Sequence, residues 1–116
     1  MTTPNKLDLL RMAKEAVQNG QREPARMMLE QVLRQDEREV RAMLWMAKLA
    51  RTPEERTTWL NRVLDVDPDN KTASRALRKM ENRDVAQRNR LYLRIGSAAY
   101  VGLMLLFSLI LILIFA

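Results

Sequence analysis

The chain has 116 residues, 47% of them hydrophobic, with 20 Lys and Arg against 14 Asp and Glu for a formal charge of +6. That length predicts one folded domain. The absence of cysteine and histidine excludes disulfides, thiolate and imidazole nucleophiles, Cys/His zinc sites and His-ligated haem. Three glycines, at 20, 96 and 102, leave no Gly-rich phosphate loop. The expectation is a chain with no enzymatic activity, no cofactor, no metal and no small-molecule substrate.

Along the chain, apolar residues recur at helical spacing and show no sustained alternation that would argue for strands. Leu9, Met12, Ala13, Ala16 and Val17 predict a first helix, started by Thr3-Pro4 and ended by Gly20. Ala25, Met28, Leu29, Val32 and Leu33 predict a second, with Pro24 in its opening turn. Ala42, Met43, Met46, Ala47 and Ala50 predict a third. Thr52-Pro53-Glu54-Glu55 combines an N-cap, a proline at the first helical position and a capping-box glutamate. The fourth helix then carries Trp59, Leu60, Val63 and Leu64 until Asp67-Pro68-Asp69-Asn70 breaks it. Beyond it, Ala73, Ala76, Leu77 and Met80 mark a fifth. Met27 is the methionine expected to face outward.

The last 22 residues, 95–116, contain no charge, and the 94 before them carry all 34 charged side chains. As a helix this stretch would be about 33 Å long, enough for a hydrocarbon core of about 30 Å. A membrane span is therefore predicted. The N-terminus shows no hydrophobic stretch of a signal peptide, and Lys79, Arg83, Arg88, Arg90 and Arg94 flank the span on its N-terminal side. The positive-inside rule then places the N-terminal part in the cytoplasm and the C-terminus across the membrane, and with nothing after Ala116 the expectation is a tail anchor. Gly96, Ala98, Ala99 and Gly102 are the expected helix–helix contact within the membrane, Ala98 and Gly102 having small-xxx-small spacing.

The charge can be located too. Residues 1–70 hold 12 basic and 12 acidic side chains, whereas residues 71–94 hold eight basic ones against Glu81 and Asp84. Arg83, Arg88, Arg90 and Arg94 are thus expected to meet lipid headgroups. With Tyr92 as the only aromatic in this basic stretch, no stacking platform for nucleic acid is evident. The resulting division is a helical domain over 1–82, a basic juxtamembrane segment over 83–94 and a transmembrane helix over 95–116.

An internal repeat underlies the helices. Leu29, Val32, Leu33 and Asp36 recur 31 residues later as Leu60, Val63, Leu64 and Asp67, and Glu23 recurs as Glu54. This pattern resembles the tetratricopeptide repeat, whose usual period is about 34, with three residues missing from the second inter-helix turn. Small-residue positions of that family fit Ala13, Ala25 and Ala47; large ones fit Leu9, Met12, Leu29, Met43, Met46 and Leu60. Its closing Asp-Pro-x-Asn stands as Asp67-Pro68-Asp69-Asn70 and is degraded in the first unit to Asp36-Glu37-Arg38-Glu39. The resemblance covers residues 5–82 and implies an all-α fold: two TPR-like hairpins and a capping helix, followed by the transmembrane helix. Leu29, Val32 and Leu33 are expected to pack on Met12, Met43 and Met46.

The resemblance also implies a concave surface made by the first helix of each unit. Leu7, Leu10, Lys14 and Val17 would come from the first, and Arg41, Leu44, Lys48 and Arg51 from the second. Such a surface is apolar with a basic rim and suits an acidic or amphipathic protein segment. Leu10 and Leu44 stand where chaperone-binding members need polar residues to clamp a terminal carboxylate, so that clamp is not expected. Trp45 and Trp59 are further candidate contacts. The sequence thus predicts protein and lipid partners for a membrane-anchored accessory subunit of a larger complex, a respiratory or photosynthetic one among the possible homes. The alternative is a tail-anchored adaptor that recruits a soluble protein to the cytoplasmic face.

Overall fold

A computed structural model describes residues 4–116, so Thr3 lies outside the described residues. The chain is all-helical: four shorter helices, α1 (Lys6–Gln18), α2 (Arg22–Gln35), α3 (Val40–Leu49) and α4 (Pro53–Val66), precede the long α5 (Lys71–Phe115). Two units divide it, Met1–Lys79 and Met80–Ala116.

In the first unit α1 packs on α2, α3 on α4, and α2 on α3. Each hairpin follows from its local chemistry. Asn5 caps α1, its side chain accepting from the Asp8 N–H at 2.8 Å. Gly20 ends the helix at φ 76°, a left-handed conformation that glycine adopts without steric cost. Gln21 N–H then donates to Ala16 O at 2.8 Å and Gly20 N–H to Val17 O at 3.1 Å, the paired bonds of a Schellman C-terminus. Thr52 caps α4 through the Glu55 N–H at 3.1 Å, with Pro53 as the first helical residue. Glu55 does not close the expected capping box; it reaches one residue further and accepts from Arg51 N–H at 3.2 Å.

The α1–α2 and α3–α4 turns are equal, residues 19–21 and 50–52, whereas α1 has 13 residues and α3 only ten. The three missing residues are therefore taken from a helix, correcting the expectation of a shortened turn. Arginines complete the short helix. Arg22 and Arg26 donate to Leu49 O at 3.2 and 3.5 Å, a carbonyl that α3 leaves open, and Arg56 is a second donor, at 3.3 Å, to Ala47 O, which also accepts from Ala50 N–H.

The closing turns correspond despite their different sequences. Asp36 and Asp67 end α2 and α4 in similar backbone conformations, φ −146° and −132°. Glu39 then caps α3, and Asn70 accepts from Ala73 N–H at 2.9 Å at the start of α5. Glutamate thus does in the first turn what asparagine does in the second.

The core is built on Leu29, Val32 and Val63, all 0% exposed, with Leu9, Ala13, Ala25, Ala42, Met46 and Leu60 around them. Met12 is a correction: it is 41% exposed, and Leu10 takes the buried place. Leu49 is also buried without having been expected there. Met27 faces outward at 63%. Ala73 is buried, and Ala76 and Leu77 half-buried, along the covered side of the opening of α5.

In the second unit the helix of α5 continues without a break to Phe115, with the side chains of residues 81–116 exposed. Its apolar stretch is long enough to cross a membrane.

Candidate functional site

One groove of about 850 Å³ opens on the first unit. Its floor is apolar, from Leu10, Leu44, Trp45 and Ala47 with Leu60 of α4 and Ala76 of α5; its rim is Leu7, Arg11, Lys14, Arg41, Lys48, Arg56 and Thr72. Six of the eight residues assigned to a concave surface lie together here: Leu7, Leu10, Lys14, Arg41, Leu44 and Lys48. The other two lie elsewhere. Val17 packs against the core, and exposed Arg51 pairs with Glu23. Val17 belongs to the last turn of α1 and Arg51 to the α3–α4 turn, where α2 draws them away from the groove.

The pairing of side chains is duplicated. Leu10 and Lys14 sit four residues apart on α1, and Leu44 and Lys48 repeat that spacing 34 residues later on α3. An i, i+4 pair shares one helix face, so each helix presents one apolar and one cationic group to the same side. Leu10 is nearly covered and Leu44 half-covered, whereas Leu7 remains 60% exposed.

Five cationic side chains surround the floor, and no carboxylate lines it. They are not equally free. Arg41 Nε donates to Glu39 Oε1 at 2.9 Å, and Arg11 lies 3.7 Å from Asp8. Arg56 is engaged with the Ala47 carbonyl. Lys14 and Lys48 form no ion pair among the described residues. Lys48 instead lies 5.0 Å from the centroid of the Trp45 ring, a cation–π contact.

Beside the rim is a charge cluster that fixes its geometry. Lys6 Nζ reaches Asp36 at 3.0 Å and Glu39 at 2.9 Å, tying α1 to the α2–α3 turn. The hydrogen bonds from Arg41 and then Lys6 hold the Glu39 carboxyl at about 2, below its ordinary 4.5, although burial alone would raise it. Lys6 is correspondingly raised, first by Glu39 and then by Asp36.

Trp59 is not in this groove. It lines a second cleft, of about 900 Å³, with Arg26, Leu33, Met43 and Arg62, and the Arg62 guanidinium lies 4.8 Å from its ring. Arg11, Arg56, Leu60, Thr72 and Ala76 join the first groove without having been assigned to it. Leu60 of α4 and Ala76 of α5 form its floor from the layer behind, which a pattern confined to α1 and α3 does not register.

On the second unit Arg83, Arg88, Arg90 and Arg94 are exposed and form no ion pair among the described residues. A Cβ added at Gly96 or Gly102 would meet nothing within 4 Å. At about 100° per residue, Ala98 and Gly102 share a face, whereas Ala99 and Gly96 lie progressively further round the helix. Among the described residues no cluster of carboxylates converges to hold a metal ion. Compared with protein-family models, curated proteins and solved structures, the chain finds no match.

Proposed function

We propose that this chain is a non-enzymatic, membrane-anchored accessory subunit of a larger membrane protein complex, with a TPR-like domain on the cytoplasmic face and α5 as its single pass. The groove is the observation that carries the reading. Its apolar floor and carboxylate-free cationic lining suit an acidic, amphipathic segment of a protein partner. Apolar burial against Leu10, Leu44 and Leu60 would supply affinity, while Lys14 and Lys48 would steer and orient the segment. Attachment to the membrane raises the local concentration of any partner that also resides there.

The unpaired state of Lys14 and Lys48 also favours a second reading, an adaptor that captures a soluble protein. Two variants separate them. Leu44→Glu places a charge in the apolar floor; replacing residues 95–116 by a polyleucine helix of equal length keeps a membrane span but erases its own surface. After mild detergent extraction, a subunit should lose its complex with either change. An adaptor should lose its partner with Leu44→Glu alone. Unaltered co-purification with Leu44→Glu would remove the groove from the function.

A further inference from the structure

Within residues 80–116 the arginines and serines are unevenly distributed around the circumference of α5. At about 100° per residue, Arg83, Arg90, Arg94, Ser97 and Ser108 fall within one arc of about 60°. Both serines of the uncharged stretch are in it, with three of the four arginines of residues 80–94. Glu81, Asp84 and Arg88 occupy a separate arc, where Asp84 and Arg88 stand four residues apart and can neutralise each other. The arginine–serine arc is exposed along its whole length. Ser97 Oγ donates to Arg94 O at 3.1 Å, whereas Ser108 has no hydrogen-bond partner among the described residues.

A bilayer is the same all round a helix, so attraction to headgroups requires no alignment of this kind. Arg83 precedes Ile95 by 12 residues, about 18 Å along the helix. That is more than two Debye lengths of about 8 Å at physiological salt, so an anionic leaflet acts on Arg90 and Arg94 far more than on Arg83. Lipid tails also offer Ser108 no acceptor. A second copy of the chain on the same face would set Arg83, Arg90 and Arg94 against themselves. What complements the arc is a protein helix with carboxylates outside the membrane and an acceptor within it.

We propose that this face of α5 docks a membrane-spanning helix of a partner protein whose cytoplasmic extension is acidic. The proposal rests on the membrane-subunit reading and adds the chemistry of the partner and the face that meets it. Ala98 and Gly102 border that face, about 40° and 80° round the helix from Arg94.

The test compares full-length variants in their native membranes, first for retention in alkaline carbonate and then for migration on native gels after mild detergent. Arg83→Glu and Arg88→Glu change the charge equally, but only Arg83 is in the arc, and Arg88 is nearer the bilayer. Arg83→Glu should reduce the complex about tenfold or more, as for the loss of a close charge pair at an interface. Ser108→Leu should reduce it as well, while Arg88→Glu leaves it intact. If Arg88→Glu weakens the complex as much as Arg83→Glu, the arc is answering to lipid and the proposal falls. It falls equally if Ser108→Cys, the only thiol in that variant, yields a disulfide-linked dimer of the chain. Release by carbonate would overturn the membrane reading and this proposal together; retention with no response to Arg83→Glu would overturn this proposal alone.

Discussion

Glu39 is the one buried charged residue among those described, at 8% exposure, and its surroundings explain how a carboxylate is tolerated there. Its oxygens accept from Arg41 N–H at 3.3 Å, Arg41 Nε at 2.9 Å and Lys6 Nζ at 2.9 Å. A group so held is more acidic folded than unfolded. Its stabilising contribution is therefore complete above the ordinary value of 4.5 and is lost as pH falls through about 2. Asp36 moves in the same direction, chiefly through its hydrogen bond from Lys6. The melting temperature of residues 1–79 should fall across that acid window, and Glu39→Gln should flatten the fall while lowering stability at pH 7. A variant with an unchanged acid slope would assign the titration to other carboxylates. Gly20 is the other position where one residue governs local geometry: Gly20→Ala, at φ 76°, should cost on the order of 1–2 kcal/mol by the penalty for a left-handed L-residue.

Element by element, the helical period made the core largely legible, and its failures have a geometrical cause. On α1 the buried residues Leu9, Leu10, Ala13 and Ala16 cover an arc of about 120°, and Met12 lies about 40° outside it. Choosing Met12 in place of Leu10 rotates the stripe by part of a turn, an error that spacing alone does not expose. The short α3 was hidden for a different reason: a 31-residue repeat says that three residues are missing, not whether a helix or a turn lost them. Lys14 and Lys48 stand at the places the repeat resemblance implies for a concave surface, whereas Arg56 and Leu60 enter the groove through tertiary packing. These placements set opposite expectations for two substitutions. Leu29→Ala, at 0% exposure, should destabilise residues 1–79 by about 2–5 kcal/mol, the range for large-to-small changes in a core. Met12→Ala should cost within about 0.5 kcal/mol, as surface changes do. Chemical denaturation of both variants checks the pair, and similar losses would return Met12 to the core.

For the whole molecule, net charge conceals the arrangement that matters. Residues 1–70 are neutral, with 12 basic and 12 acidic side chains, yet the groove gathers cations and is lined by no carboxylate. The basic excess of residues 71–94 lies instead beside the apolar stretch, where it predicts orientation: an N-terminal tag should resist protease added outside intact cells, and its cleavage would reverse the proposed topology. The groove charge predicts something different. Interface cations accelerate association with an acidic partner, and that contribution is screened by salt. Reversing Lys14 and Lys48 together should therefore weaken the complex most at low ionic strength, with the difference from wild type narrowing as salt is added. The matched control is reversal of Arg34 and Arg62, which changes the net charge equally but lies on the second cleft. If both double variants weaken the complex alike, overall charge attracts the partner and the groove has no special part. Loss confined to Lys14→Glu/Lys48→Glu would locate recognition on the two repeated Leu–Lys faces, where two successive helices offer the same pair of contacts to one segment.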